Sequence, residues 1–149
     1  MRNIKEWTID NINTIEKFIK KSNFNKASSI FSLGLVNVYY SKYCTTSSGG
    51  MYKIDEIWVP GIKISLQPII NNPFNFCEYE EYSKDLIIGS FSSPNIENKI
   101  LATVCHEMSH AMQKWSEFYL HMPKSEAHGP YFRQIYSMLR KEFVNKNLF

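Results

Sequence analysis

The chain has 149 residues, 44% hydrophobic and 21% charged, with a net charge of +3. That suits a single domain over 1–149 with one buried core, and it excludes a disordered chain. No apolar run approaches the ~20 residues that cross a bilayer, and the net charge is too small to argue by itself for a nucleic-acid partner.

The opening stretch MRNIKEWTIDNINTIEKF lacks the continuous apolar segment of a signal peptide, so a cytoplasmic protein without a membrane is expected. Ile9, Ile12, Ile15 and Ile19 recur every three or four residues and predict a helix over 8–21. LGLVNVYYSKY is β-branched and aromatic and predicts a strand over 35–43. TTSSGG predicts a turn, and MYKIDEIWV a returning strand. In GIKISLQPII, the alternation of Ile62, Ile64 and Leu66 predicts a further strand that Pro68 stops.

NNPFNFCEYEEYSKD is polar and irregular, a surface loop over 71–85, and LIIGS is short enough for one more strand. Ser93 as cap, Pro94 at the first helical position and Glu97 in the first turn predict the start of a helix that runs to Tyr119. Ile96, Ile100, Thr103, Val104 and Ala111 form its expected buried stripe. A breaker-rich loop, HMPKSEAHGP, precedes a last helix that opens at Pro130 and turns Phe132, Ile135, Leu139 and Phe143 to one side. A helix, a short sheet of three to four strands and two further helices make an α+β domain.

Cys44, Cys77 and Cys105 are odd in number and contain no C-x-x-C, which argues against a disulfide framework or a zinc ribbon. Cys105 adjoins His106, but neighbouring helical residues point about 100° apart, so the two are not expected to share a ligand. Lys124, Arg133, Arg140, Lys141 and Lys146 crowd the last 30 residues and are read as a solvated helix face.

The chemistry lies in LATVCHEMSHAMQKW, which holds His106, Glu107 and His110 in the pattern H-E-x-x-H. Helical residues four apart share a face, so two imidazoles at that spacing can converge on one zinc ion, while Glu107 can take a proton from water on the metal. Random order of this composition yields on the order of 0.01 copies of the motif. All four histidines, His106, His110, His121 and His128, fall within 23 residues. A third ligand is needed. A metzincin continuation requires glycine and histidine where Gln113 and Ser116 stand, and is excluded. Glu126 and Glu142 are glutamate candidates with no supporting pattern, which leaves His121 and His128.

TVCHEMSHAMQKW followed by AHGPYFRQIYSMLRKEF resembles the SprT-like zinc metalloproteases, in which H-E-x-x-H is followed by a histidine in an H-G-x-x-F context. Here that second motif is His128, Gly129 and Phe132. The resemblance covers residues 100–143 and implies a small zincin-like domain. It also implies one catalytic zinc ion on His106, His110 and His128, with Glu107 as general base. It further implies a protein or peptide substrate, DNA-associated or DNA-crosslinked proteins among them. Several members carry a C-terminal zinc ribbon, which these cysteines cannot build, so DNA targeting rests on the resemblance alone.

Independently of the resemblance, Gly129 spares a side chain where the backbone turns close to the metal, and Pro130 with the buried Phe132 and Ile135 fixes the helix behind His128. The competing reading makes His128 a helix cap. Tyr119, His121 and Tyr131 are candidate donors to an oxyanion. The alternative to an endopeptidase is a zinc-stabilised module that binds nucleic acid or protein without turnover.

Overall fold

A computed structural model of the chain describes residues 3–40, 46–71, 93 and 95–145. Helix α1 (Ile4–Lys21) begins four residues earlier than its isoleucine spacing predicts, because the Asn3 side chain accepts a hydrogen bond from the Lys5 N–H and caps it. Its buried face is Thr8, Ile12, Ile15 and Ile19, with Ile9 only partly covered. Thr8 is tolerated there because its hydroxyl donates to the Ile4 carbonyl at 2.7 Å. Each fully buried isoleucine contributes about 2 kcal/mol of transfer free energy.

A 3-10 turn (Ser28–Ile30) leads into strand β1 (Leu35–Tyr39), followed by β2 (Ser48–Ile54) and β3 (Ile57–Ser65). The sheet order is β1-β3-β2, with β1 parallel and β2 antiparallel to β3. MYKIDEIWV is therefore not one returning strand. It is the end of a hairpin, with Ile54 opposite Ile57 and Asp55 and Glu56 forming the two-residue turn. Both turn residues have positive φ, 49° and 68°, as the right-handed twist of a tight hairpin demands. The usual Asn-Gly signal is missing, which is why the turn is illegible in sequence.

Ser48, Gly49 and Gly50 belong to β2 rather than to a turn. The reason is packing: a Cβ on Gly49 would overlap the carbonyl oxygen of Glu107, so only glycine lets this strand lie so close to the helix that crosses it. At Gly50 the same added carbon meets nothing within 4 Å. β3 runs through Pro60, whose carbonyl accepts from the Gly34 N–H at 2.8 Å, and stops at Ser65. Leu66 opens a short helix α2 (Leu66–Ile70) instead of extending the strand. The loop predicted over 71–85, the strand predicted at LIIGS, Pro94, Cys44, Cys77 and Lys146 lie outside the described residues, apart from Asn71.

Helix α3 (Ile96–Tyr119) is the centre of the molecule, in contact with β2, β3, α1, α2 and α4 (Pro130–Phe143). Its cap is Asn95, whose side chain accepts from the Asn98 N–H at 3.2 Å, and not Ser93. Ser93 is used differently, accepting from Asn95 N and Asn98 Nδ2. Sixteen of the 24 residues of α3 are buried, so the helix has no solvated half and carries no single stripe. Ile100, Val104 and Ala111 are buried as predicted, Thr103 is half-buried, and Ile96 is exposed.

In α4, Phe132, Ile135, Tyr136 and Leu139 are fully buried and Phe143 packs on Phe18 with ring centroids 5.2 Å apart. Arg140 departs from the solvated face expected of it. It is 1% exposed, donates from Nη1 to the Tyr136 hydroxyl and from Nε to Asn145, and lies over the Tyr136 ring. None of the described helices is long and apolar enough to cross a membrane.

Gly49→Ala is expected to destabilise the fold by about 1–3 kcal/mol through overpacking against α3, whereas Gly50→Ala changes it by no more than about 0.5 kcal/mol. Urea unfolding of both variants checks this, and equal effects at the two positions would contradict the close approach.

Candidate metal centre

His106 and His110 stand one turn apart on α3, and His128 comes back to them from the segment that leads into α4. The three Nε2 atoms form a triangle with every side 3.2 Å. His106 is buried and the other two are half-buried. The cap of α4 is Gly129, with Pro130 at the first helical position, so His128 is not the helix cap.

The Gly129 backbone is extended, and its N–H bonds to the Glu126 carbonyl at 3.0 Å. An added Cβ would lie 3.3 Å from Glu126, so the crowding that favours glycine there comes from this turn rather than from the metal site.

Three neutral imidazoles cannot satisfy that triangle among themselves. A ring nitrogen either carries a hydrogen or offers a lone pair, so in any choice of tautomers at least one of the three contacts sets two donors or two lone pairs against each other. A cation at the centre resolves the conflict, and the group can hold a metal ion. Burial, followed by the proximity of His110 and His128, lowers the His106 pKa to about 3. Burial, then His128 and Lys114, lowers that of His110 to about 4. Both imidazoles are thus neutral and able to donate lone pairs through the physiological range.

Glu107 follows His106 on the helix, is 9% exposed, and has its pKa pushed up to about 7 by burial. A carboxyl group so placed can give up or take back a proton near neutrality.

Phe132 is the floor of the site. Its ring centroid lies 5.1, 4.5 and 5.0 Å from those of His106, His110 and His128. Tyr136 closes the wall behind His106 at 5.4 Å. An apolar shell of this kind limits ring rotation and solvent access. In sequence Phe132 reads as a core anchor and as the aromatic of the H-G-x-x-F motif, not as the floor of the site, and Tyr136 carries no signal beyond its helical spacing from Phe132.

A hydrogen-bonded clasp holds the segment that delivers His128. Gln113 Nε2 donates to Ser125 Oγ at 2.7 Å and to the Glu126 carbonyl at 3.1 Å. Glu117 Oε1 accepts from the Ser125 N–H and hydroxyl at 3.1 and 3.3 Å, and its other oxygen pairs with Lys114 at 3.5 Å. In sequence Gln113 signals only the absence of a metzincin pattern, and Glu117 carries no signal. Polar residues one turn apart on a helix look solvated until the returning loop covers them.

The other predicted residues fall elsewhere. His121 is exposed and follows the α3 cap Leu120 with φ 53°, a left-handed helix stop that lines a neighbouring cavity, outside the histidine cluster. Tyr119 is half-exposed and stacked on Trp115. The Tyr131 hydroxyl accepts from Asn25 Nδ2 at 3.2 Å. Neither tyrosine has a described contact with the three imidazoles. Glu126 contributes its backbone carbonyl to the clasp, and Glu142 lies outside the ligand cluster. Cys105 is buried with Sγ 3.9 Å from the Leu139 carbonyl oxygen, pointing away from a shared ligand role with His106.

No protein-family model, no curated protein and no solved structure matches this chain.

Gln113→Ala is expected to keep the fold yet weaken metal binding about 10- to 100-fold, measured by competition with a chromophoric chelator. Unchanged affinity would show that the clasp does not position His128. Stripped of metal, the protein should lose stability as pH falls from about 6.5 to about 4.5. His106 and His110 stay neutral in the fold but bind protons on unfolding, a loss that grows as pH drops below 6.5. Glu107 opposes them, being protonated in the fold but ionised when unfolded between 4.5 and about 7. Two protons taken up against one released leave about one net proton bound on unfolding. Thermal melts across that window check the sign, and replacing both histidines by Gln should remove or reverse this contribution.

Proposed function

We propose that the chain is a zinc-dependent endopeptidase of the SprT-like type, built as a small zincin-like domain. The observation that carries the reading is the convergence of three imidazole nitrogens beside a buried glutamate whose pKa is pushed up to about 7. A tetrahedral zinc site with nitrogen ligands at about 2.0–2.1 Å keeps those atoms about 3.3–3.4 Å apart, and the 3.2 Å triangle is close to that spacing. Purely imidazole donors suit zinc better than magnesium or calcium, which take oxygen.

Bound zinc supplies Lewis acidity, which polarises a peptide carbonyl and makes water more acidic. The chain's own residues do the rest. His106 and His110 present their lone pairs without first losing protons at neutral pH, and His128 completes the ligand set. The Glu107 carboxylate takes a proton from the attacking water, and the resulting carboxyl group passes it to the departing amide nitrogen. Burial suits both halves of that task, since a group with a pKa near 7 accepts and returns a proton with little penalty either way. Phe132 and Tyr136 keep bulk water off the protein side of the site. The substrate class is protein, and the resemblance to the SprT-like proteases extends it to proteins associated with or crosslinked to DNA.

Glu107→Gln should bind zinc with affinity within a few-fold of wild type and lose about 10²- to 10⁴-fold in peptide hydrolysis. The check pairs metal content with cleavage of an unfolded protein substrate, with and without single-stranded DNA and with a chelator control. Full turnover by Glu107→Gln would sink the mechanism. Cleavage indifferent to DNA would keep the endopeptidase and drop the DNA-associated substrate. Zinc binding without cleavage under any condition would identify a non-catalytic, zinc-stabilised binding module.

A further inference from the structure

One helical turn beyond His110, a cavity of about 790 Å³ opens against α3. Gly49, Gly50 and Met51 of β2 and Trp58 of β3 line one side, and Phe118 of α3 and Met122 of the following segment line another. The metal chemistry above makes no use of it. Lys114, also on its wall, is four residues past His110 and therefore on the same helix face, about 6 Å along the axis. The cavity and the histidine cluster are thus adjoining stations on one helix.

Its character is apolar with a cationic rim. Trp58 and Phe118 are 50% and 54% exposed, a large apolar surface left open beside the site. Glu117 also borders the cavity, but its two oxygens are engaged by Ser125, Gln113 and Lys114. Among the described lining residues, the charge left facing outward comes from Lys124. The volume falls in the range of sites that enclose a ligand of a few residues' size.

We propose that this cavity is a specificity pocket, taking a large aromatic or long aliphatic side chain of a peptide that carries an acidic residue next to it. The hydrolysis that follows rests on the peptidase reading; the binding does not.

Trp58 and Phe118 make the proposal testable, because both line the pocket and are half-exposed, so shortening them opens no hole in the core. The Trp58→Ala/Phe118→Ala double variant should remove the aromatic walls and leave the packing of Gly49 on α3 intact. Binding is read by fluorescence anisotropy on zinc-loaded Glu107→Gln protein. The labelled probes are peptides with Phe, Leu or Ala beside Glu, and a Phe peptide with Lys in place of Glu. The Phe and Leu peptides are expected to bind about 10- to 100-fold more tightly than the Ala peptide, with a several-fold loss at low salt for the Lys peptide. In the Trp58→Ala/Phe118→Ala double variant that preference should vanish while melting temperature and zinc content stay near the level of the parent protein. Equal binding of Phe and Ala peptides, or a preference that survives in the folded double variant, would overturn the pocket. If the wild type cleaves proteins yet shows no such preference, the pocket falls and the peptidase stands. If the preference holds and nothing is ever cleaved, the pocket stands and the peptidase falls.

Discussion

Three ring nitrogens held 3.2 Å apart, with no tautomer arrangement that satisfies all of them, are the constraint on which the rest of this molecule turns. Left to themselves, imidazoles so placed would splay into water. They are kept together because each is wedged from behind. Phe132 touches all three rings, Tyr136 backs His106, and the Gln113–Glu117–Ser125 clasp pins the segment that brings in His128. Packing free energy gathered over the whole core is concentrated on one electrostatically frustrated spot, a common arrangement where a fold prepares a site for a ligand.

The burial that creates the conflict also sets the chemistry. The same desolvation that lowers the pKa values of His106 and His110 raises that of Glu107, because it disfavours a positive imidazolium and a negative carboxylate alike. One environment thereby yields neutral ligands and a proton acceptor poised near pH 7. The environment depends on the depth of α3, and that depth depends on Gly49 bringing β2 onto the Glu107 backbone. A small sheet, a single glycine and a central helix thus act as one unit.

Much of this was readable from the chain. The end of α3 at Tyr119, the start of α4 at Pro130 and the placing of His128 just ahead of it follow from spacing and from local signals at helix ends. What was unreadable depended on local choices that residue type does not rank and on distant partners. Asn95 and Ser93 are equally good caps by residue type, and the chain gives the cap to Asn95 while Ser93 accepts from the Asn95 N–H and the Asn98 side chain. Asp55 and Glu56 adopt a conformation usually left to Asn and Gly, so no local signal marked the hairpin. Ser48 to Gly50 resemble a turn by composition and are strand by contact with α3. Arg140 reads as part of a solvated face and is buried instead, and Gln113 gives no sign in sequence that the segment at Ser125 and Glu126 covers it.

The ligands come from two segments 18 residues apart, one inside a helix and the other at the foot of the next. An ion shared between them would therefore act as a crosslink. Closing a segment of that length removes conformational freedom from the unfolded chain comparable to a short disulfide loop, about 3 kcal/mol. Once free metal exceeds its dissociation constant, each tenfold rise adds about 1.4 kcal/mol to the folded state. Metal supply would thus enter the folding equilibrium directly, and the amount of folded chain would rise and fall with an ion held by the three histidines.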